Sequence, residues 1–205
     1  MTANVEKSCT PGTLFVISAP SGAGKTSLIT ALVEEMTNLV ISLSYTTRVK
    51  RSGELNGVHY NFVDDANFDD LLSQNEFIEY AEVFGHRYGT SHKWVTERLE
   101  QGFDILLEID WQGARQISKI FAENSTSVFI LPPSIATLEQ RLLARKQDSS
   151  DIIKGRMAKA IAEMTHYPEY DYLVINEDFE IARRDLKAII TAERLKSSRQ
   201  SVKQQ

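Results

Sequence analysis

Cysteine is nearly absent from the 205-residue chain, with Cys9 alone in a polar N-terminal stretch. A single thiol excludes an internal disulfide framework and leaves the fold to apolar burial, as suits a reducing compartment. Long apolar runs are missing too. None approaches the roughly 20 residues that span a bilayer, and the first residues carry no signal-like apolar segment. A cytoplasmic protein without a membrane partner is the resulting expectation. Excess positive charge is also lacking: 23 Lys and Arg against 28 Asp and Glu give a formal net charge of -5. That balance argues against a protein whose main task is gripping nucleic acid by its backbone. The four histidines, His59, His86, His92 and His166, have no ligand-like spacing, so the sequence gives no indication of a transition-metal site.

What is present is ordinary for a soluble globular domain: 42% hydrophobic and 25% charged residues. Strand-length apolar runs stand at 14–18, 39–44, 105–110, 128–131 and 173–176, rich in Val, Ile, Leu or Phe as strands buried on both faces are. Helical patterns lie at 26–36, 94–101, 111–123, 135–145, 152–165 and 181–195. Strands alternating with helices predict an α/β fold, a parallel sheet flanked by helices. Between the first strand and first helix the chain reads Ala19, Pro20, Ser21, Gly22, Ala23, Gly24, Lys25, Thr26. This is a phosphate-binding loop of P-loop NTPase type in its required context. Gly22 and Gly24 permit backbone turns that aim N–H groups at phosphate oxygens, Lys25 adds a point charge, and Thr26 offers a hydroxyl to magnesium. Ala19 replaces the first glycine of the pattern, which a small residue can do where the backbone is not left-handed. The plainer alternative is a glycine-rich turn that binds nothing.

Two stretches interrupt the alternation. Residues 45–90 combine a basic opening, a turn cluster, scattered aromatics and a short helical pattern at 66–74, a small α+β insertion expected to carry a second substrate. Residues 134–168 form a helical lid of two segments, marked off by Pro132, Pro133 and Pro168. The core is then 12–44 with 91–133 and 169–195, and 1–11 and 196–205 are polar tails. In the insertion, Ser44, Arg48, Arg51, Tyr60, Glu79, Tyr88 and Thr90 supply two guanidinium groups, two phenols, a carboxylate and two hydroxyls. Paired arginines match a phosphate oxygen fork. The alternatives are a solvated basic stretch, since Lys50 joins Arg48 and Arg51, and an exposed surface acid for Glu79.

Together these residues resemble the guanylate kinase family, of the compact bacterial type. The signatures run in order: the phosphate loop, Ser44 to Arg48 with Arg51, Gly53-Glu-Leu-Asn-Gly57, Tyr60-Asn-Phe62, Asn75 to Glu79, Tyr88-Gly-Thr90, and Glu108-Ile-Asp-Trp-Gln-Gly113. The resemblance implies transfer of the ATP γ-phosphoryl group to GMP with Mg2+, ATP and GMP being the partners. It implies that Arg48, Arg51, Tyr60 and Tyr88 hold the GMP phosphate and that Ser44, Glu79 and Thr90 meet the base. Guanine presents two adjacent donors that one carboxylate accepts together, whereas adenine presents an acceptor there. Arg141, Arg145 and Arg156 match lid arginines that close over the phosphates, although Ala144 and Lys146 flank Arg145 where the family has glycines. The alternatives for Arg141 are a solvated helix surface or a pair with Glu139 or Asp148. Asp110 ends a predicted strand beside the loop, its role open between magnesium and the acceptor. Asn176 matches a position near the adenine of ATP, while by itself it reads as a turn residue. A kinase for another nucleoside monophosphate, or an inactive binding module of the same fold, is the alternative function; the retained Lys25 and Thr26 and the short chain weigh against the module. The oligomeric state is left open, a homodimer included.

Overall fold

Every residue of Leu14–Ser18 (β1) is buried, which only a central strand covered on both faces achieves. The computed structural model describes residues 10–144 and 150–200. Arg145 and Lys146, and the tails as far as residue 9 and from 201, lie outside the described residues. After β1 come α1 (Lys25–Glu35), β2 (Leu39–Ile41), β3 (Tyr45–Thr46), β4 (Asn61–Phe62), α2 (Asp65–Ser73), β5 (Phe77–Val83), β6 (His86–Ser91) and α3 (His92–Glu100). Then follow β7 (Asp104–Glu108), α4 (Trp111–Ile120), β8 (Ser125–Leu131), α5 (Ile135–Ala144), α6 (Ser150–Met164), β9 (Tyr172–Ile175) and α7 (Phe179–Arg194).

The main sheet has the order β2-β7-β1-β8-β9, with every pair parallel. Alternation along β1 divides the core. Phe15 and Ile17 join Leu28, Leu32, Leu186 and Ile190 on the face covered by α1 and α7. Leu14 and Val16 join Val95, Leu99, Ala114 and Ile117 on the face covered by α3 and α4. The sheet is thus flanked by helices on both faces, as the alternating pattern predicts. No helix among the described residues is long and apolar enough to cross a membrane.

A second, four-stranded sheet of order β4-β3-β6-β5 is built from residues 45–91. Its β5–β6 hairpin closes through Phe84 and Gly85, with φ of 56° and 73°, the two left-handed positions that a tight hairpin turn demands. In that hairpin Glu79 pairs with Thr90 across the ladder, next to a register shift between Phe77 and Glu79. Helices α5 and α6 share a small apolar core of Leu138, Leu142, Ile153 and Ala160.

Two details differ from the sequence reading. The strand expected over 105–110 stops at Glu108, because Asp110 turns to cap α4, accepting hydrogen bonds from the backbone N–H groups of Gln112 and Gly113. The polar end expected from 196 is docked as far as residue 200. Buried Glu193 draws in Lys196 at 2.8 Å and Arg199 at 3.9 Å, and Ser197–Arg199 forms a short 3-10 turn.

Candidate active site

Helix α1 begins at Gly24, with φ of 93°, no side-chain cap and no acidic residue in its first turn. Helices α2, α3, α4 and α7 are instead capped by the side chains of Asp64, Ser91, Asp110 and Asp178. The first-turn N–H groups of α1 are therefore left to whatever anion arrives. Gly22 is also left-handed, at 98°, while Ala19 is not among the positive-φ residues, so a small side chain suffices at the loop's first position. Pro20 is buried and Ala23 turns back to donate to its carbonyl at 3.1 Å.

The loop is braced from the far end of the chain. Asn176, buried just beyond β9, donates its amide to the Ala23 carbonyl at 2.6 Å, and a Cβ at Gly24 would stand 2.5 Å from that amide nitrogen. Arg141 of α5 donates to the Asn176 carbonyl at 2.9 Å and lies 3.5 Å from the Ala23 carbonyl, so it is neither simply solvated nor paired with Glu139. Arg156 of α6 donates to the Ser21 hydroxyl at 2.6 Å. Two of the three lid arginines named from the sequence thus converge on the loop; Arg145 lies outside the described residues.

Glu108, which the sequence reading quotes in a signature without a role, connects the loop to the sheet. It accepts the Thr26 hydroxyl proton at 2.6 Å and lies 3.9 Å from Lys25, whose ammonium is also 3.4 Å from the Ile109 carbonyl. An acid at the carboxyl end of a strand beside a phosphate loop is the signal that could have found it. Glu163 of α6 was missed as well. Burial raises its carboxyl pKa, opposed by the charge of Lys25 and a hydrogen bond from the Ser21 backbone.

In the insertion, Arg48 is gripped at both nitrogens by Glu54, at 3.0 and 2.8 Å, and lies over the Tyr60 ring at 5.3 Å. The pair holds the Arg48 guanidinium above and the Glu54 carboxyl below their usual pKa ranges. Arg48 is therefore a posed fork, not a solvated charge. Arg51 is exposed, and its side chain makes no hydrogen bond among the described residues, although its backbone N–H donates to Glu54 at 2.8 Å. Tyr60 packs edge-on to Tyr88, at 6.0 Å between centroids. Burial, then the charge of Glu108, pushes the Tyr60 phenol up to about 12. Residues 108–113 join the two parts: Glu108 meets Thr26 at the phosphate loop, and Gly113 abuts the Glu79 carboxylate of the insertion.

Deeper in, Glu79 is only 3% exposed, which removes the surface-acid alternative. The Thr90 hydroxyl donates to its Oε1 at 2.5 Å, a contact set by the β5–β6 register. Burial is the main reason its carboxyl pKa rises to about 7; the Thr90 bond opposes this and the Asp110 charge reinforces it. Ser44 is half-buried on the link from β2 to β3, its carbonyl held by the Asn61 N–H at 2.9 Å. Asp110 lies on the Glu79 side, capping α4, where the Gln112 amide also donates to it at 2.9 Å. The end of the segment expected as a lid is tied to the same helix. His166 stacks on Trp111 at 4.0 Å between ring centroids, and Arg115 and His166 both hold Glu169, whose pKa falls to about 2.

Comparison with known proteins agrees with this architecture. The family model described as guanylate kinase matches residues 12–193. The guanylate kinase of Vibrio vulnificus strain YJ016 is 54% identical over 194 residues, covering 94% of this chain and 93% of that one. That of Pseudoalteromonas translucida is 52% identical over 196 residues, covering 96% and 95%. A crystal structure of guanylate kinase from Anaplasma phagocytophilum superposes with a TM-score of 0.79 at 37% identity, over 93% of this chain and 90% of that one. With a family model spanning nearly the whole chain and relatives above half identity along it, this protein belongs to the guanylate kinase family.

Proposed function

We infer that this protein transfers the γ-phosphoryl group of ATP to GMP, giving ADP and GDP. The observation that carries the reading is the buried Glu79–Thr90 pair, linked through residues 108–113 to an uncapped helix start bearing Lys25. A carboxylate with an oxygen free of the Thr90 bond is a receptor for the N1–H and 2-amino donors of guanine, and it leaves adenine facing an unpaired charge. Ser44 completes the base contacts, and Asp110 fixes the helix start beside them. On this reading Arg48, Arg51, Tyr60 and Tyr88 hold the GMP phosphate, with Glu54 presenting Arg48 in one orientation.

The acceptor oxygen needs no strong base, since a phosphate monoester loses its second proton at a pKa of about 6. The chain's task is to cancel repulsion between two anions and to stabilise the charge spread over the transferring group. Loop N–H groups and Lys25 take the donor phosphates, Arg48 draws the acceptor into line, and Arg141 and Arg156 close from the lid, with Arg145 assigned to the same closure. Residues 45–90 act as the acceptor-binding insertion and 134–168 as a lid that excludes water. Asn176 serves the ATP side by fixing the loop backbone. The Thr26 hydroxyl and the Glu108 carboxylate are hard oxygen donors that suit Mg2+, which keeps several waters and otherwise binds through substrate phosphates. When bound there with ATP, the ion supplies neutralisation of charge on the phosphate oxygens. A cytoplasmic location fits the single cysteine.

The test is ADP release from ATP and magnesium with GMP, AMP, CMP or UMP as acceptor, against a Lys25→Ala background. Turnover confined to GMP supports the assignment; turnover with another acceptor overturns the base reading, and GMP binding without turnover overturns the reaction.

A further inference from the structure

Gly113 is the third residue of α4 and is buried, in the first turn of a helix, where alanine is the better former. Its backbone is not left-handed, so conformation gives no reason for glycine. Space does. A Cβ built at Gly113 would collide with the Glu79 carboxylate, overlapping Oε2 and standing 3.1 Å from Cδ, with the Ile109 Cδ1 at 3.3 Å.

A clash with the end of a flexible side chain is ordinarily relieved by a small swing, but here both sides are held. Glu79 is 3% exposed, so its carboxylate has little open space to swing into, and Thr90 holds Oε1 at 2.5 Å. On the other side α4 is stitched to the strand that carries Glu79. The Gln116 side chain accepts from the Tyr80 N–H at 3.1 Å and donates to the Tyr80 carbonyl at 2.7 Å, and the Gln112 amide donates to the Glu82 carbonyl at 3.3 Å. The helix cannot back away without breaking these bonds, so a methyl group at 113 must displace the carboxylate itself.

We propose that Gly113 is a specificity-determining position: by carrying no side chain it keeps open the place of the Glu79 carboxylate, and so preserves the selection of guanine over other bases. The proposal rests on the reading of Glu79 as the base contact. Gly113 is a positioning residue, acting through Glu79 and not on the reacting atoms.

The experiment is a double-mutant cycle of Gly113→Ala and Glu79→Ala, reading KM for GMP, KM for ATP and the ratio of kcat/KM for GMP over AMP. Gly113→Ala is expected to raise KM for GMP by about tenfold or more and to lower the GMP over AMP ratio, with KM for ATP unchanged. In the Glu79→Ala background the same substitution is expected to add nothing. An equal loss in both backgrounds, or a matching rise in KM for ATP, overturns the proposal. Melting temperature keeps the test decisive if Gly113→Ala folds poorly. A drop that vanishes when Glu79 is truncated supports the contact, and one that persists overturns it. Glu79→Ala enzyme that still selects GMP removes the base reading, and with it the proposal, independently of what Gly113→Ala does.

Discussion

Glu79→Gln keeps the shape of the side chain and removes its titration, which makes it a direct probe of the buried carboxyl. In the folded chain that group holds its proton up to about pH 7, whereas the ordinary value is 4.5, and burial is the chief cause. Between those two values the native state binds more protons than the unfolded state, so stability falls as pH rises. The favourable contribution is complete below about pH 4.5, declines through the window, and is gone above about pH 7. At about 1.4 kcal/mol per pH unit, the full span amounts to about 3 kcal/mol. The glutamine carbonyl can still accept the Thr90 hydroxyl proton, so the variant loses the titration more than the bond. Urea unfolding of ligand-free wild-type and variant protein from pH 5 to 8 measures the effect. The variant should gain on wild type steadily up to about pH 7 and then hold a constant lead of up to about 3 kcal/mol, while losing GMP affinity. A stability difference that stays flat across this range would refute the argument that burial governs Glu79.

Lys25→Ala removes an ammonium whose protein contacts are long, 3.4 Å to the Ile109 carbonyl and 3.9 Å to Glu108. Turnover should therefore fall by about 10²-fold or more with little change in melting temperature, as for loss of one preorganised charge at a transferring group. Glu54→Gln breaks the two-point grip on Arg48; KM for GMP should rise roughly tenfold with KM for ATP unchanged, and equal shifts in both would place Glu54 in general stability instead. Asn176→Ala releases the Ala23 carbonyl and the carbonyl-bound end of the loop; calorimetry should show weaker ATP binding, with about 1–3 kcal/mol lost for the unsatisfied group. Leu106→Ala, at a fully buried position in the sheet, should cost about 2–5 kcal/mol in urea unfolding while leaving both KM values near wild type.

The main sheet was legible because its strands are short, apolar and punctuated by helical periods, and β1 to α1 announces itself through Gly22, Gly24 and Lys25. Strand ends were less so. Asp110 follows an apolar run and reads as its last residue, but its side chain is better used capping α4 than extending the ladder. In the second sheet, β3 and β4 are two residues each and have no period to detect. The residues proposed for the acceptor were named by type and family pattern; what that pattern does not contain is the partner of each charge. Glu54 looks like part of a turn, and Glu108 looks like the end of a strand, until the fold sets one against Arg48 and the other against Thr26. Gly113 could be noticed as a glycine in a helical pattern, yet the atom it makes room for is 34 residues away by number and visible only in space.

The placement of β1 has a consequence for how the protein is made. Leu14 pairs with Ile105 on one side and Ser125 on the other, and the phosphate loop that follows β1 is braced by Asn176, 153 positions beyond Ala23. Partners so distant in the chain close slowly, because loop entropy must be overcome before the contacts form. A ribosome adding about 5–20 residues per second needs roughly 8–30 s to pass from the loop to its brace. For all that time the nascent polypeptide carries the loop without this brace. A translation product ending before β9 thus lacks the Asn176 brace on the Ala23 carbonyl, and the loop takes its full set of contacts only after that strand has been made.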